Sequence, residues 1–216
     1  MGPLHGIRVA DFSQMMAGPL CSMLLGDLGA DVFKVEPPEG DAMRVMGETF
    51  IGGETPFFLS LNRNKLSLVL DLKTAGGRAV VRRLAERADV VLENFRPGTA
   101  ERLGIDYDSL RKLSPGLVYC SISGFGREGP ESKRPALDPV IQAISGLMEL
   151  TGTAQSGPLR TGFPLVDFVT PLLATIGILS ALHARRETGR GQRVDLSMLD
   201  AAIFSMIPRD GHYFGT

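Results

Sequence analysis

The chain has no surplus of charge: 23 lysines and arginines stand against 24 aspartates and glutamates over 216 residues, a formal net charge of −1. A nucleic-acid partner leaves a basic footprint, and without one that role is disfavoured. Cysteine is scarce as well. Cys21 and Cys120 lie far apart in apolar runs, which suits buried thiols in a reducing cytosol better than a disulfide framework. His5, His183 and His212 are scattered without the spacing of a zinc site, so no metal is expected. His183, on an apolar helix, reads as a hydrogen-bonded core residue. The sequence also lacks a GxGxxG after its first strand, a GxxxxGKS/T loop and a GxSxG elbow, which removes the familiar signatures of dinucleotide, P-loop and serine-hydrolase sites. Residues 1–6 have neither the basic region nor the long apolar stretch of a signal peptide. The longest chargeless run, Phe168 to Ala184, is short of the ~20 residues of a comfortable membrane span and contains Pro171 and His183. A soluble cytoplasmic protein is expected, with one domain as the default and two small ones possible.

What is present alternates between strand and helix patterns. Ile7 to Phe12 alternates apolar and polar residues like a strand, Ser13 to Pro19 breaks it, and a helix runs through Leu25 to a stop at Gly29. Asp31 to Glu36 is the second strand, ended by Pro37-Pro38, so the first forty residues read as a βαβ unit. Residues 40–56, rich in glycine and charge, read as loop. After the polar turn Asn62-Arg63-Asn64-Lys65 comes a strand over 66–72, then a helix capped by Thr74 through Ala88 with Val80, Val81 and Leu84 inward. Asp89 to Phe95 is a strand whose Val90-Val91-Leu92 run suits a sheet covered on both faces. Short helices over 99–103 and 108–113 precede a strand over 117–123. Asp138-Pro139 is a cap plus first-position proline for a helix through Leu150. Gly189 and Gly191 stop the long helix before a strand over 192–196, and Ser197 to Asp200 resembles a capping box for a last helix. The fold class is α/β: a Rossmann-like, mostly parallel sheet with helices on both faces.

In such sheets ligands bind beyond the carboxyl ends of the strands. Three turns fall there: Ser13 to Pro19, Asn94 to Gly98, and Ser123 to Gly126. Glycine lets backbone approach a ligand, and Asn, Arg and Phe can hold amides, phosphates and a planar ring. Each turn alone could be mere punctuation; three on one edge favour a binding site. The stretch Gly162 to Phe168 places one carboxylate, Asp167, in an apolar run before a long helix, Pro171 to Arg186, that is chargeless as far as Ala184 and buried nearly all round. Asp167 is either a helix cap or a functional carboxylate. Pro171 at a first helical position would make Thr170 the cap and leave Asp167 in the preceding loop.

Several stretches together strongly resemble the CaiB/BaiF (class III) coenzyme A transferases: Asp11-Phe12-Ser13 through Ala17-Gly18-Pro19, Leu28 to Val32 with Lys34-Val35-Glu36, Asn62 to Lys65 with Leu70 to Lys73, Glu93 to Gly98, Ser123 to Gly126, and Thr188 to Gln192. The resemblance runs in order from about residue 4 to beyond residue 200. It implies that residues 1–216 are the N-terminal part of the large CoA-binding α/β domain, with the small domain and the C-terminal return absent. It further implies an interlocked homodimer, and transfer of CoA from an acyl-CoA donor to a carboxylic acid acceptor without metal. It makes Asp167 the catalytic carboxylate, attacking the thioester to give a mixed anhydride and then an aspartyl-CoA thioester. For the cofactor it suggests Leu70 and Lys73 near the adenosine, Asn94, Phe95 and Arg96 along the molecule, and Arg102 towards a phosphate. Gln14, Met15, Met16, Ala17, Gly124 and Asp138 complete the expected binding set. Met16 stands where formyl-CoA:oxalate transferases carry glutamine, and Pro37 where a basic cofactor contact falls, which favours a more apolar acyl group. The 2-methylacyl-CoA racemases of the same family pair an aspartate with a histidine; that histidine position is Leu137 here, leaving one of two acid/base groups. A non-catalytic CoA-binding fragment is the third reading.

Overall fold

The computed structural model describes residues 1–209 and 211; His212 lies outside them. Six strands, β1 (Arg8–Asp11), β2 (Asp31–Glu36), β3 (Lys65–Val69), β4 (Val90–Glu93), β5 (Val118–Ser123) and β6 (Arg193–Ser197), form one parallel sheet in the order β3-β2-β1-β4-β5-β6. The α-helices among the described residues are α1 (Ala17–Asp27), α2 (Pro56–Leu61), α3 (Ala75–Ala85), α4 (Thr99–Leu103), α5 (Tyr107–Leu110), α6 (Asp138–Ile144), α7 (Leu147–Thr151), α8 (Leu165–Thr188) and α9 (Met198–Phe204).

Alternation along the strands sorts the core into two layers. Val9, Val32, Val90, Leu92, Val118 and Cys120 meet α1, α8 and α9 on one face. Ala10, Val35, Val91 and Tyr119 meet α3, α4 and α5 on the other. The Val90-Val91-Leu92 run thus serves both layers, as an interior parallel strand must. Both cysteines are free and buried. The chain leaves β1 outward through β2 to β3, then restarts at β4 on the opposite side of β1, so winding reverses between β1 and β4. That switch point opens a crevice at the carboxyl edge.

Helix α8 differs most from its sequence reading. It begins at Leu165 rather than Pro171, which lies inside it, and Thr170 is no cap: its hydroxyl donates to the Val166 carbonyl at 2.8 Å. An internal proline removes one helical donor, the one that would have met the carbonyl four residues back, Asp167. The helix tolerates this because its first turn is held from outside, as described below. Nor is it buried all round. Val166, Ala174, Ile178 and Leu182 face the core, but Phe168, Leu172 and Ile176 are 45%, 44% and 60% exposed along one stripe, and His183 is exposed rather than a core residue. By length and hydropathy alone α8 could cross a membrane; its buried face packs against the sheet and α1.

Other departures are local. The helix expected over 138–150 breaks at Gly146, whose φ of 83° ends α6 before α7. Strand β3 takes in Lys65 and stops at Val69. Val80 points outward while Val81 is buried, because the inward stripe of α3 runs through Gly77, Val81 and Ala85 at four-residue spacing and Val80 lies about 100° away from it. Thr74 and Ser197 cap α3 and α9 as expected, accepting from the amides of Gly77 and Asp200.

Candidate functional site

The turns after β1 and β4 are stitched together across the switch point. The Gln14 amide donates to Asn94 Oδ1 at 2.9 Å, and Asn94 Nδ2 donates to the Gln14 carbonyl at 2.7 Å. Met15 takes a left-handed φ of 65°, uncommon for such a side chain and affordable only where neighbours fix it. Met16 and Ala17 then start α1. At Gly18 a Cβ would sit 2.1 Å from Ser13 Cβ, so only glycine lets the helix start come this close to the turn.

Beneath the turn lies a buried charged network. Asp11, fully buried, accepts from the Ser13 amide at 2.9 Å and from Ser22 Oγ at 2.5 Å, and pairs with Lys65 at 3.3 Å. Lys34 donates to the Ser13 carbonyl at 2.9 Å and pairs with Asp41 at 2.8 Å. Lys65 also donates to the Pro19 carbonyl and Asn62 Oδ1, each at 2.8 Å. Burial opposes ionisation of Asp11, yet Lys65, Lys34 and the two serines hold its carboxyl below the usual value. Burial pushes Lys65 down to about 8, against the pull of Asp11. The Asn-Arg-Asn-Lys stretch is therefore a clamp: Lys65 grips the β1 turn while Arg63 and Asn64 bond Asp27 at the end of α1. Its signal in sequence was charge inside strands at Asp11 and Lys34.

Two cavities line this edge. One, of about 200 Å³, is walled by Phe12, Gln14, Glu36, Pro37, Leu70, Lys73 and Phe95, among others. A second, of about 290 Å³, is walled by Gln14, Met15, Asn94, Phe95, Arg96 and Thr99. Arg102 reaches the rim through Thr99, donating to its Oγ1 at 2.8 Å. Glu36 ends β2, where dinucleotide folds keep an acidic residue for a ribose. Here its oxygens are taken by Arg44 at 2.7 Å, Ser67 at 2.7 Å and the Asp41 amide at 3.0 Å. Burial opposes the charge, but Arg44, Ser67 and that amide hold Glu36 down to about 2.

Asp167 stands on the same edge. The C-terminal end of α8 is tied to the amino edge of the sheet, where Arg185 donates to the Gly116 carbonyl at 3.1 Å and pairs with Asp89 at 3.0 Å. Running back along the sheet, a 24-residue helix spans about 36 Å, which carries its start past the carboxyl ends of the strands. All four first-turn amides are satisfied: Leu165 donates to the Phe163 carbonyl, Phe168 to the Pro164 carbonyl, and Val166 and Asp167 to Asp138 Oδ2 at 2.8 and 3.1 Å. Asp138 is itself 4% exposed, and its Oδ1 accepts from Gln142 at 2.6 Å. Gln142 in turn accepts the Thr161 amide at 3.0 Å. Asp138 thus accepts three hydrogen bonds from within the protein, two at Oδ2 and one at Oδ1. Gln142 escaped the sequence reading, although an Asp and a Gln four apart share a helix face. The Asp167 carboxylate, partly buried, receives no hydrogen bond among the described residues. Burial, reinforced by the Asp138 charge, pushes it up to about 7.

The expected binding residues therefore divide. Gln14, Met15, Leu70, Lys73, Asn94, Phe95 and Arg96 converge on the two cavities, with Arg102 at the rim. Met16 and Ala17 shape the start of α1. Gly124 sits apart, where a Cβ would lie 2.3 Å from Ala136 Cβ and where its carbonyl takes the Leu199 amide. Among the described residues, no group of three or more His, Cys, Asp or Glu could hold a metal ion.

A doubly wound sheet, a cleft at its switch point and an unpaired carboxylate on the same edge are features of an α/β ligand-binding domain. Residues 4–216 match the model described as CoA-transferase family III, and the chain belongs to that family. It is 41% identical over 204 residues to the succinyl-CoA:glutarate CoA-transferase of Mus musculus, covering 94% of this chain and 47% of that protein. It is 43% identical over 204 residues to the acetyl-CoA:oxalate CoA-transferase of Acetobacter aceti, covering 94% and 52%. The crystal structure of a CaiB/BaiF family protein from Brucella suis superposes with a TM-score of 0.96 at 40% identity, covering 100% of this chain and 58% of that one. The chain spans about half the length of the curated relatives it matches.

Proposed function

We propose that this chain carries the CoA-binding edge and the reacting carboxylate of a CoA transferase, with Asp167 covalently acylated in each turnover. The observation that carries the reading is Asp167 itself: poorly solvated, given no hydrogen bond among the described residues, and on the sheet edge that holds both cavities. A carboxylate that binds a proton tightly is a strong nucleophile once ionised. Its oxygen attacks the thioester carbonyl, the C–S bond breaks, and a mixed anhydride and CoA thiolate result. The thiolate then attacks the aspartyl carbonyl, releasing the donor acid and leaving an aspartyl-CoA thioester. The acceptor carboxylate repeats the two steps in reverse, and Asp167 is regenerated. One thioester replaces another, so the exchange needs no external energy source.

The cavities walled by Lys73, Phe95 and Arg96 are the proposed seat of the nucleotide end of CoA. The relatives are named for succinyl-CoA or acetyl-CoA with glutarate or oxalate. We accordingly propose a dicarboxylic acid as acceptor and succinyl-CoA as the first donor to test, in place of the more apolar acyl group that Met16 and Pro37 suggested. The exposed stripe Phe168, Leu172 and Ile176 supports burial against further polypeptide, which fits an interlocked homodimer. A second reading, CoA binding without turnover, draws on Phe163, 54% exposed beside Asp167: that side admits water, which would hydrolyse an anhydride. Calorimetry with CoA and a transfer assay from succinyl-CoA to glutarate decide between them. Binding with transfer that Asp167→Asn abolishes supports the first; binding without transfer supports the second; no binding refutes both.

A further inference from the structure

Asp138 is separated from Asp167 by 29 positions, yet it is the residue that governs what surrounds the reacting carboxylate. An Asp in the first turn of a helix ordinarily finds free amides and the positive end of the helix dipole, both of which stabilise its charge. At α8 those donors are spent: Val166 and Asp167 give their amides to Asp138 Oδ2, at 2.8 and 3.1 Å. Asp138 cannot swing away, because Gln142 Nε2 grips Oδ1 at 2.6 Å while Gln142 Oε1 is pinned by the Thr161 amide at 3.0 Å. Both side chains are buried. The carbonyl of Asp167 is freed in the same turn by Pro171, which has no N–H to offer it.

We propose that Asp138, held by Gln142, is a positioning residue: by taking the first amides of α8 it fixes the helix start and denies the Asp167 carboxylate the donors that would otherwise neutralise it. The proposal rests on the reading of Asp167 as the acylated group, and it supplies the reason that group stays reactive. Charged groups on the elements packed against α8 are Asp138 on α6, Arg193 and Asp195 on β6, Asp200 on α9 and, at the far end of α1, Asp27; β5 has none. Of these, only Asp138 acts on Asp167, adding to the effect of burial.

The test is a titration of Asp167 in the full chain labelled with 13C at aspartate carboxyls, its resonance assigned by loss in Asp167→Asn. The parent midpoint is expected near 7. In Asp138→Ala, which frees two amides and removes a charge, the midpoint falls by about one pH unit or more, a tenfold weaker hold on the proton. Asp138→Asn keeps an acceptor but not the charge, and shifts it less in the same direction. An unmoved midpoint in folded Asp138→Ala overturns the proposal. If that variant does not fold, an unmoved midpoint in Gln142→Ala, which releases the grip on Asp138 Oδ1 but keeps its charge, does so. Trapping of an acyl group on Asp167 is read separately, so loss of the enzymatic reading leaves this outcome intact, and the converse.

Discussion

Replacing Asp167 by asparagine should stabilise the protein, by an amount that grows as pH rises above about 4 and is complete above about 7. In the unfolded chain the carboxyl titrates near its ordinary value of 3.8; in the fold, burial and then Asp138 raise it to about 7. Between those values the folded state binds the proton and the unfolded state does not, so stability falls as pH rises through the window, and the loss is complete above about 7. The shift corresponds to about 4 kcal/mol with the site fully desolvated, and to about 2 kcal/mol or more where water at the open side screens the charge. For a chain of this length that is a rise in Tm of roughly 5–15 °C. Asparagine has nearly the same shape and never ionises, so comparison at each pH cancels the titrations of Asp11 and Glu36. Urea denaturation of parent and variant at steps from pH 4 to 8.5 measures the effect. Curves that stay together at pH 8.5 to within about 1 kcal/mol, or a less stable variant there, would refute the placing of an unpaired, poorly solvated carboxylate at this position.

Other perturbations separate scaffold from site. Lys34→Met removes the partner of buried Asp41 and the donor to the Ser13 carbonyl, and should cost about 3–5 kcal/mol in urea denaturation; a loss under about 1 kcal/mol would show that the network is not what holds the first turn. Asn94→Ala cuts both bonds to the Gln14 backbone, and CoA affinity measured by calorimetry should fall about tenfold or more. Gly18→Ala, which brings a Cβ to 2.1 Å from Ser13, should lower Tm and weaken CoA binding together. Gly76→Ala in α3, with nothing within 4 Å of the added carbon, should instead be neutral or stabilising by about 0.5–1 kcal/mol.

Local patterns were legible where neighbours in sequence decide the structure. The strand and helix alternation, the caps at Thr74 and Ser197, and the turns that gather at the carboxyl edge all follow from short-range chemistry, whereas local pattern left Asp167 open between helix cap and functional carboxylate. What could not be read depends on distant partners. Pro171 resembled a helix start because proline favours the first helical position; the helix begins six residues earlier because Asp138, on another helix, accepts the amides of its first turn. Asp138 in turn looked like the cap of its own helix, whereas its side chain caps a different one. Apolar residues on every face, Leu172 and Ile176 with Ala174, Ile178 and Ala181, suggested a helix buried nearly all round, since composition does not distinguish a face turned to the core from one left open. Lys34 sat in a strand and Lys65 in what read as a polar turn, and neither reading reached the network with Asp11 and Asp41 that supports the cleft.

The most direct measurement is intact-protein and peptide mass spectrometry of the chain after brief incubation with succinyl-CoA, with hydroxylamine added to intercept activated acyl groups. The account predicts that the peptide containing Asp167 becomes an aspartyl hydroxamate, and that Asp167→Asn leaves it unlabelled while CoA still binds. Activation at any other side chain, or labelling that persists in the asparagine variant, would contradict it.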